Sequence, residues 1–241
     1  MVIRRSSLAA AFISLLNVQS DAFASGHTSS GRDPLSLYGP EIRFDVLRNG
    51  RPAGEHTVRF AYGESGVSVD STFELAVDLL FVTVFRYQYR SLAWWQDGQL
   101  HSITTTVNDN GSSVVLSAVR DDARLTIQSG GAKYSVEAPV YPTNHWNAEV
   151  ITQTRVLNTL TGNINDVKIK AAGEEAVETE RGTIPAIRYV YTGDLQTEVW
   201  YDAIGRWVKM RFEARDGSTI EYVCRLCQGG THLATAEQLS Y

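Results

Sequence analysis

The amino-acid sequence predicts a mainly β protein: a strongly curved antiparallel sheet, or open barrel, of about ten strands wrapped around one α-helix at about residues 148–160. Three observations support this fold class. Short segments that alternate polar and apolar residues recur along the chain, and turn signals separate them about every 8 to 12 residues. The chain of 241 residues is long enough to bury one large core. Only one segment has helical spacing of its apolar residues.

The clearest sheet signal lies in residues 186–227, where three alternating segments are separated by turn residues. Pairing Glu198 with Arg211, with loops at residues 193–195, 203–206 and 216–218, places the apolar residues of the whole meander on one face, and a slip of one residue would expose them. This register predicts that Tyr201 faces the core, whereas Trp200 and Trp207 lie on the outer face. The outer tryptophans are interpreted as packing residues, with a stacking surface for a planar ligand as the alternative.

An aromatic strand is predicted at residues 85–95, in the first half of the chain. Its alternation places Tyr87, Tyr89 and Trp95 on one side. The preceding residues 79–85 form the most apolar stretch of the mature chain, which we interpret as a fully buried strand. The alternative is an apolar lip at the mouth of a cavity.

The strand pattern stops at Pro139 and Pro142, since proline is excluded from central strands. The loop from Pro142 to Asn147 is the best candidate for a polar site, because functional residues often lie on loops. His145 is its candidate general base, and a following helix N-terminus would receive an oxyanion. The alternative is a rigid connector in which Trp146 fills the barrel end and Asn147 caps the helix predicted at 148–160.

The N-terminus has the layout of a secretory signal peptide. Arg4 and Arg5 precede a short apolar run, and Ala22-Phe23-Ala24 has the form of a cleavage site. We predict cleavage after Ala24 and a periplasmic or secreted protein. The predicted organisation is a signal peptide at 1–24, a flexible leader at 25–40, a single β domain at 41–228 and a C-terminal tail at 229–241.

Charge and hydropathy argue against a nucleic-acid ligand and against a transmembrane helix. The formal net charge is −5, and no Lys/Arg cluster stands out, so a nucleic-acid ligand is not expected. No apolar run of the mature chain reaches the roughly 20 residues that a transmembrane helix needs, so none is predicted.

Cys224 and Cys227 form a C-x-x-C pair near the end of the last predicted strand. After export the expected state is a disulfide, which requires the strand to bend or end there. Free or metal-binding thiols and a redox-active dithiol remain the alternatives. The histidines have no metal-site spacing, and we predict neither a metal site nor a cofactor.

Several spaced motifs carry a family resemblance: residues 45–50 with Gly54, residues 94–98, the loop from Pro142 to Asn147, and residues 200–202 with 205–207. Together they resemble an uncharacterised family of exported bacterial β-rich proteins, a domain of unknown function. That family is distantly similar to the periplasmic lipoprotein-carrier type of fold. The resemblance implies a curved antiparallel sheet that encloses a hydrophobic cavity, and it supplies no catalytic residues.

The leading functional hypothesis is a binding protein that holds an apolar small molecule or lipid inside the curved sheet. It rests on the aromatic residues of the inward faces. One alternative is an extracytoplasmic enzyme that uses the Pro142 to Asn147 loop, although no catalytic residue is assigned. The other is a structural protein with a partner in the cell envelope. The candidate ligand-binding residues are Tyr87, Tyr89, Trp95, His145, Trp146 and Tyr201.

Overall fold

A computed structural model describes residues 33–79 and 82–230 of the chain. The predicted signal peptide at 1–24 lies outside the described residues, as do positions 231–241 of the predicted tail.

The described residues are mainly β, as predicted, but they form fifteen strands rather than about ten. The first eight are β1 Glu41–Arg48, β2 Arg51–Gly63, β3 Gly66–Leu79, β4 Val82–Gln96, β5 Gln99–Asp109, β6 Ser112–Asp121, β7 Arg124–Ser129 and β8 Ala132–Glu137. The other seven are β9 Tyr141–Pro142, β10 Arg155–Leu157, β11 Ile164–Thr179, β12 Gly182–Gly193, β13 Thr197–Asp202, β14 Trp207–Glu213 and β15 Thr219–Leu226.

All fifteen strands belong to one open sheet, in the order β8-β7-β6-β5-β4-β3-β2-β1-β15-β14-β13-β12-β11-β10-β9. Each half of the chain is therefore a meander, and the pairing of β1 with β15 joins the two halves at the centre of the sheet. Every pairing is antiparallel except that of β9 with β10. The core lies on the concave side, where apolar residues from both halves pack together.

The α-helix predicted at 148–160 is wrong. Its first residues form a single 3₁₀ helix, Ala148–Thr152, and the chain then returns to the sheet as β10. The segment is rich in β-branched side chains, which lose rotamer freedom in a helix and favour strands. Val156 and Leu157 of β10 are fully buried, so the spacing that predicted a helix reflects the packing of a turn and a strand. The predicted arrangement of a sheet wrapped around an α-helix at 148–160 is therefore not observed.

The described chain contains one short α-helix, α1 Pro34–Tyr38, within the predicted leader. The Asp33 side chain accepts hydrogen bonds from the backbone of Leu35 at 3.3 Å and Ser36 at 3.1 Å. Pro34 stands in the first turn, where its missing N–H costs nothing. The helix ends in Tyr38, whose side chain is fully buried, so residues 33–40 are packed onto the domain.

The predicted register of the C-terminal meander is confirmed for β12 with β13 and for the first three pairs of β13 with β14, including Glu198 with Arg211. A bulge after Trp200 then pairs Tyr201 with Trp207 instead of Val208. The pairing of β14 with β15 differs from the prediction by two residues, which leaves the faces unchanged. The expectation that Trp207 faces outward is wrong, because the bulge turns its ring into the core.

The apolar stretch at 79–85 is not one buried strand. Leu79, the last residue of β3, pairs with Val82, the first of β4, so the stretch contributes to two antiparallel strands. Val84 of β4 is half exposed. Within the described residues, no helix has the length and apolar character required to cross a membrane.

Candidate functional site

The loop from Pro142 to Asn147 lies on the concave side of the sheet and contacts both halves. The Trp146 ring packs against Trp95 of β4 and Phe60 of β2, with centroids 5.0 and 5.4 Å away. The His145 ring packs against Tyr191 of β12 and Trp207 of β14, at 5.6 and 5.9 Å. The loop therefore fills the space between the two halves of the sheet.

Three tyrosine hydroxyls from different elements hold the loop. Tyr38 of α1 donates to the carbonyl oxygen of Trp146 at 2.7 Å, and Tyr201 of β13 donates to the carbonyl oxygen of His145 at 2.8 Å. Tyr89 of β4 donates to Oδ1 of Asn144 at 3.1 Å. Burial raises the pKa of Tyr201 well above its usual value, so its hydroxyl keeps the proton that it donates.

The local backbone of the loop follows from its sequence. His145 has φ of 56°, in the left-handed region that non-glycine residues seldom adopt, so the surrounding contacts must hold it there. The Asn147 side chain accepts a hydrogen bond from the backbone N–H of Glu149 at 3.0 Å. The predicted capping role of Asn147 is therefore correct, although the helix that it caps is 3₁₀.

Two buried histidines accompany the loop. Burial lowers the pKa of His56 to about 3, with a smaller contribution from the charge of His145, and burial lowers the pKa of His145 to about 4. Both rings are therefore neutral near pH 7. Both nitrogens of His56 and Nδ1 of His145 lack a hydrogen-bond partner among the described residues. The His56 ring contacts Phe44 and Trp207 inside the core.

A groove of about 300 Å³ opens beside the loop, between the 3₁₀ helix and the strands β12 and β13. Its walls are mainly hydrocarbon and aromatic: Leu37, Trp146, Ala148, Ile151, Ile187, Tyr189 and Tyr201. Asp202 also lines the groove, and its carboxylate binds the buried Arg206 guanidinium at 2.7 Å. Ile187 is 38% exposed, so part of the apolar wall is open to solvent.

The sequence matches a known family over most of its length. Residues 44–225 match the family described as Domain of unknown function (DUF6134). The chain belongs to this family.

A solved structure supports the fold of this DUF6134 domain. The chain is similar to a beta-barrel-like protein of Domain of Unknown Function DUF1849 from Brucella abortus, with a TM-score of 0.56 and 10% sequence identity. The match covers 78% of this chain and 96% of that chain. At this identity the likeness shows the fold alone. The chain has no match among curated proteins.

The six predicted ligand-binding residues divide into three groups within the DUF6134 domain. Trp146 and Tyr201 line the groove. Three residues are buried beside or within the loop, where they contact other side chains of the protein: Tyr89, Trp95 and His145. Tyr87 packs edge-on against Phe73, at 5.9 Å between centroids, and partial burial raises its pKa to about 12. The structure thus brings five of the six to one loop and places two in the lining of the groove.

Sequence reasoning missed most of the groove lining, including its three large aliphatic residues. Ile187 belongs to the apolar face of the predicted meander, and its position on a strand next to Tyr201 was a usable signal. Leu37 lay in the predicted leader, and Ile151 in a helix that does not form. No local pattern in the sequence places either of them beside β12.

Trp200 occupies the opposite, outer face of the sheet. Its indole N–H donates to Glu175 at 2.9 Å, and Nζ of Lys209 lies 5.1 Å from its ring centroid. Charged side chains of the outer face cover the ring, which is 1% exposed. Packing, rather than an open stacking surface, is therefore its role.

Proposed function

We propose that the protein is exported and that it binds an apolar small molecule, or a single acyl chain, in the groove beside the loop. The observation that carries this proposal is the groove itself, with its apolar and aromatic walls and a partly exposed Ile187. Ligand sites are concave, mainly apolar and furnished with few polar groups, and this groove has that character. Its volume of about 300 Å³ is at the lower end of the usual range, which favours one small molecule or one chain over a two-chain lipid.

The site proposed here differs from the one expected from the sequence. A ligand enclosed by Tyr87, Tyr89 and Trp95 would compete with the loop, which already occupies the space beside Tyr89 and Trp95. The groove needs no such displacement, because Trp146 and Tyr201 already present surface to it. Of the two acidic residues in the lining, Asp202 is paired with Arg206, whereas Glu149 favours a neutral or cationic polar end on the ligand.

Burial weighs against the enzymatic alternative. His145 is 4% exposed, and a pKa lowered to about 4 makes its ring a weak base near pH 7. Its ring contacts are Tyr191 and Trp207, neither of which is a typical nucleophile. The proposed function is therefore binding rather than catalysis.

Binding is tested by titrating purified protein with the neutral apolar dye N-phenyl-1-naphthylamine, followed by fluorescence and by competition with decan-1-ol. Replacing Ile187 by Glu places a charge in the groove wall, and we expect the dissociation constant to rise by about tenfold or more. The matched control is Leu92→Glu, which changes an exposed apolar residue of β4 that does not line the groove. Equal binding by all three proteins, or no binding by the wild type, would contradict the proposal.

Export is tested separately by expressing the full chain with a C-terminal tag and fractionating the cells. We expect a processed product in the periplasm or medium whose N-terminus is Ser25. Deletion of residues 2–24 should leave the protein in the cytoplasm. An unprocessed chain retained in the cytoplasm would contradict export without affecting the groove.

A further inference from the structure

The disulfide between Cys224 and Cys227 lies at the end of β15, against a turn from a distant part of the chain. Both cysteines are buried. Glu180, in the turn between β11 and β12, reaches this pair. The C-x-x-C motif is therefore accompanied by a carboxylate that its spacing does not reveal.

Backbone groups orient the Glu180 carboxylate. Its Oε1 atom accepts hydrogen bonds from the backbone N–H of Cys227 at 3.1 Å and of Gln228 at 2.7 Å. Its Oε2 atom lies 3.0 Å from Sγ of Cys224. One oxygen is thus fixed by the backbone, and the other faces the sulfur.

In the disulfide state, no hydrogen atom lies between Oε2 of Glu180 and Sγ of Cys224. A disulfide sulfur carries no hydrogen, so carboxylate lone pairs meet sulfur lone pairs there. Either a thiol proton or a cation between the two atoms would make the contact favourable. The carboxylate therefore points to an electrophilic partner that the disulfide does not supply.

The three side chains form a donor set of two sulfurs and one oxygen, with the donor atoms all within 4.8 Å of one another. Zn²⁺ binds thiolate sulfur at about 2.3 Å and carboxylate oxygen at about 2.0–2.2 Å, so one ion can span a group of this size. Three protein ligands also leave a fourth tetrahedral position for water or another ligand. The backbone hydrogen bonds to Oε1 are the outer support that orients a metal ligand.

We propose that Cys224, Cys227 and Glu180 form a site for a thiophilic divalent cation such as Zn²⁺ when the disulfide is reduced. Two molecules of a small thiol supply the two electrons. The first, as thiolate, attacks one sulfur and releases the other; the second attacks the mixed disulfide and leaves as the oxidised small-thiol dimer. Binding of the cation then displaces one proton from each cysteine.

The site would join two parts of the fold in either redox state. Glu180 belongs to the turn between β11 and β12, whereas Cys224 lies in β15 and Cys227 directly follows that strand. A second contact links them, because the Thr179 hydroxyl donates to Oε1 of Gln228 at 2.8 Å. A bound cation would keep this connection after the covalent bridge opens. The proposal is independent of ligand binding in the groove, since the two share no residue.

The test uses Co²⁺ as a spectroscopic substitute for Zn²⁺. The purified chain is reduced with a phosphine, its two thiols are counted, and Co²⁺ is added without oxygen. We expect one Co²⁺ per chain, with thiolate-to-cobalt charge-transfer absorption and intense tetrahedral visible bands that Zn²⁺ abolishes. The oxidised protein should show neither. Cys224→Ser should lose the charge-transfer band, and Glu180→Gln should weaken binding by about tenfold or more.

The control is Glu174→Gln, which changes an exposed carboxylate on β11, the strand that leads into the turn with Glu180, and should leave Co²⁺ affinity unchanged. Circular dichroism follows folding throughout. If reduction unfolds the chain, the proposal requires that Zn²⁺ restores the folded spectrum. The proposal fails if reduced, folded protein shows no cobalt spectrum, if Zn²⁺ does not refold an unfolded reduced chain, or if Glu180→Gln binds as tightly as the wild type.

Discussion

The β13–β14 hairpin carries two tryptophans that are buried in opposite ways. Trp207 lies on the concave face, where its ring packs against Phe44 at 4.4 Å and against His56 at 5.5 Å. Trp200 lies on the outer face, where Lys209 and neighbouring charged side chains cover it. Each ring is 1% exposed. The same burial therefore has two causes: rigid aromatic packing on one face and flexible charged chains on the other.

The largest expected effect comes from deleting the inner ring. Trp207→Ala leaves a cavity among rings from several strands, and we expect a loss of about 3–5 kcal/mol in the free energy of unfolding. Trp200→Ala should cost clearly less, because the covering side chains can collapse or become hydrated. Urea denaturation of both variants measures the difference. Equal losses would show that the two faces are packed alike.

Low pH should reduce the free energy of unfolding through the two histidines of the inner face. The folded pKa values of His56 and His145 lie near 3 and 4, below the ordinary value of 6.5, so the unfolded chain binds more protons between these limits. The two neutral histidines make their full contribution to the free energy of unfolding above about pH 6.5. This contribution is lost as pH falls, by up to about 1.4 kcal/mol per pH unit for each histidine.

The measurement is urea denaturation between pH 7 and 4.5, with His56→Phe as the matched variant. This variant retains an aromatic ring that does not titrate, so its stability should fall less steeply with decreasing pH than that of the wild type. Identical slopes would mean that His56 is not the source of the pH dependence.

Removing the hydroxyl of Tyr201 should have a smaller effect on the free energy of unfolding. Tyr201→Phe keeps the ring and removes the donor to the carbonyl oxygen of His145, and a buried acceptor without its partner costs about 1–3 kcal/mol. Hydrogen exchange at residues 143–147 should become faster than in the wild type. Tyr189→Phe is the control, because Tyr189 is less buried and its ring lies next to Tyr201. Equal exchange in both variants would remove Tyr201 as a support of the loop.

The outer face should give the smallest effect. Glu198 pairs with Arg188 at 2.9 Å and with Arg211 at 2.7 Å, and Glu198→Gln should cost less than about 1 kcal/mol. High salt should reduce that cost further by screening the charges. A cost of several kcal/mol, unchanged by salt, would show that these pairs act as buried ones.

The contrast between the faces explains what the sequence could predict. Alternation over many residues identified the β12–β15 meander and its pairing of Glu198 with Arg211, because a wrong register would expose a whole apolar face. No comparable signal marks the bulge that turns Trp207 inward, because a bulge adds one unpaired residue to a strand without a characteristic residue composition. The prediction for Trp207 therefore failed, although the prediction for its strand was correct.

The candidate site was harder to predict than the sheet. The loop from Pro142 to Asn147 was recognised from its prolines and polar residues, but its partners come from strands that are distant in sequence. Apolar spacing over 148–160 could not distinguish a helix from a 3₁₀ turn followed by a strand, because both bury Val150 and Val156. The groove depends on that local structure, and its location therefore required the three-dimensional fold.

The most direct test of binding in the groove is methyl NMR of isoleucine-labelled protein during titration with decan-1-ol. Binding in the groove predicts saturable shifts of the methyl signals of Ile151 and Ile187, which line it. The signals of Ile103 and Ile127, buried in β5 and β7, should stay in place. Shifts confined to Ile103 and Ile127, or no saturable shift at Ile151 and Ile187, would contradict binding in the groove.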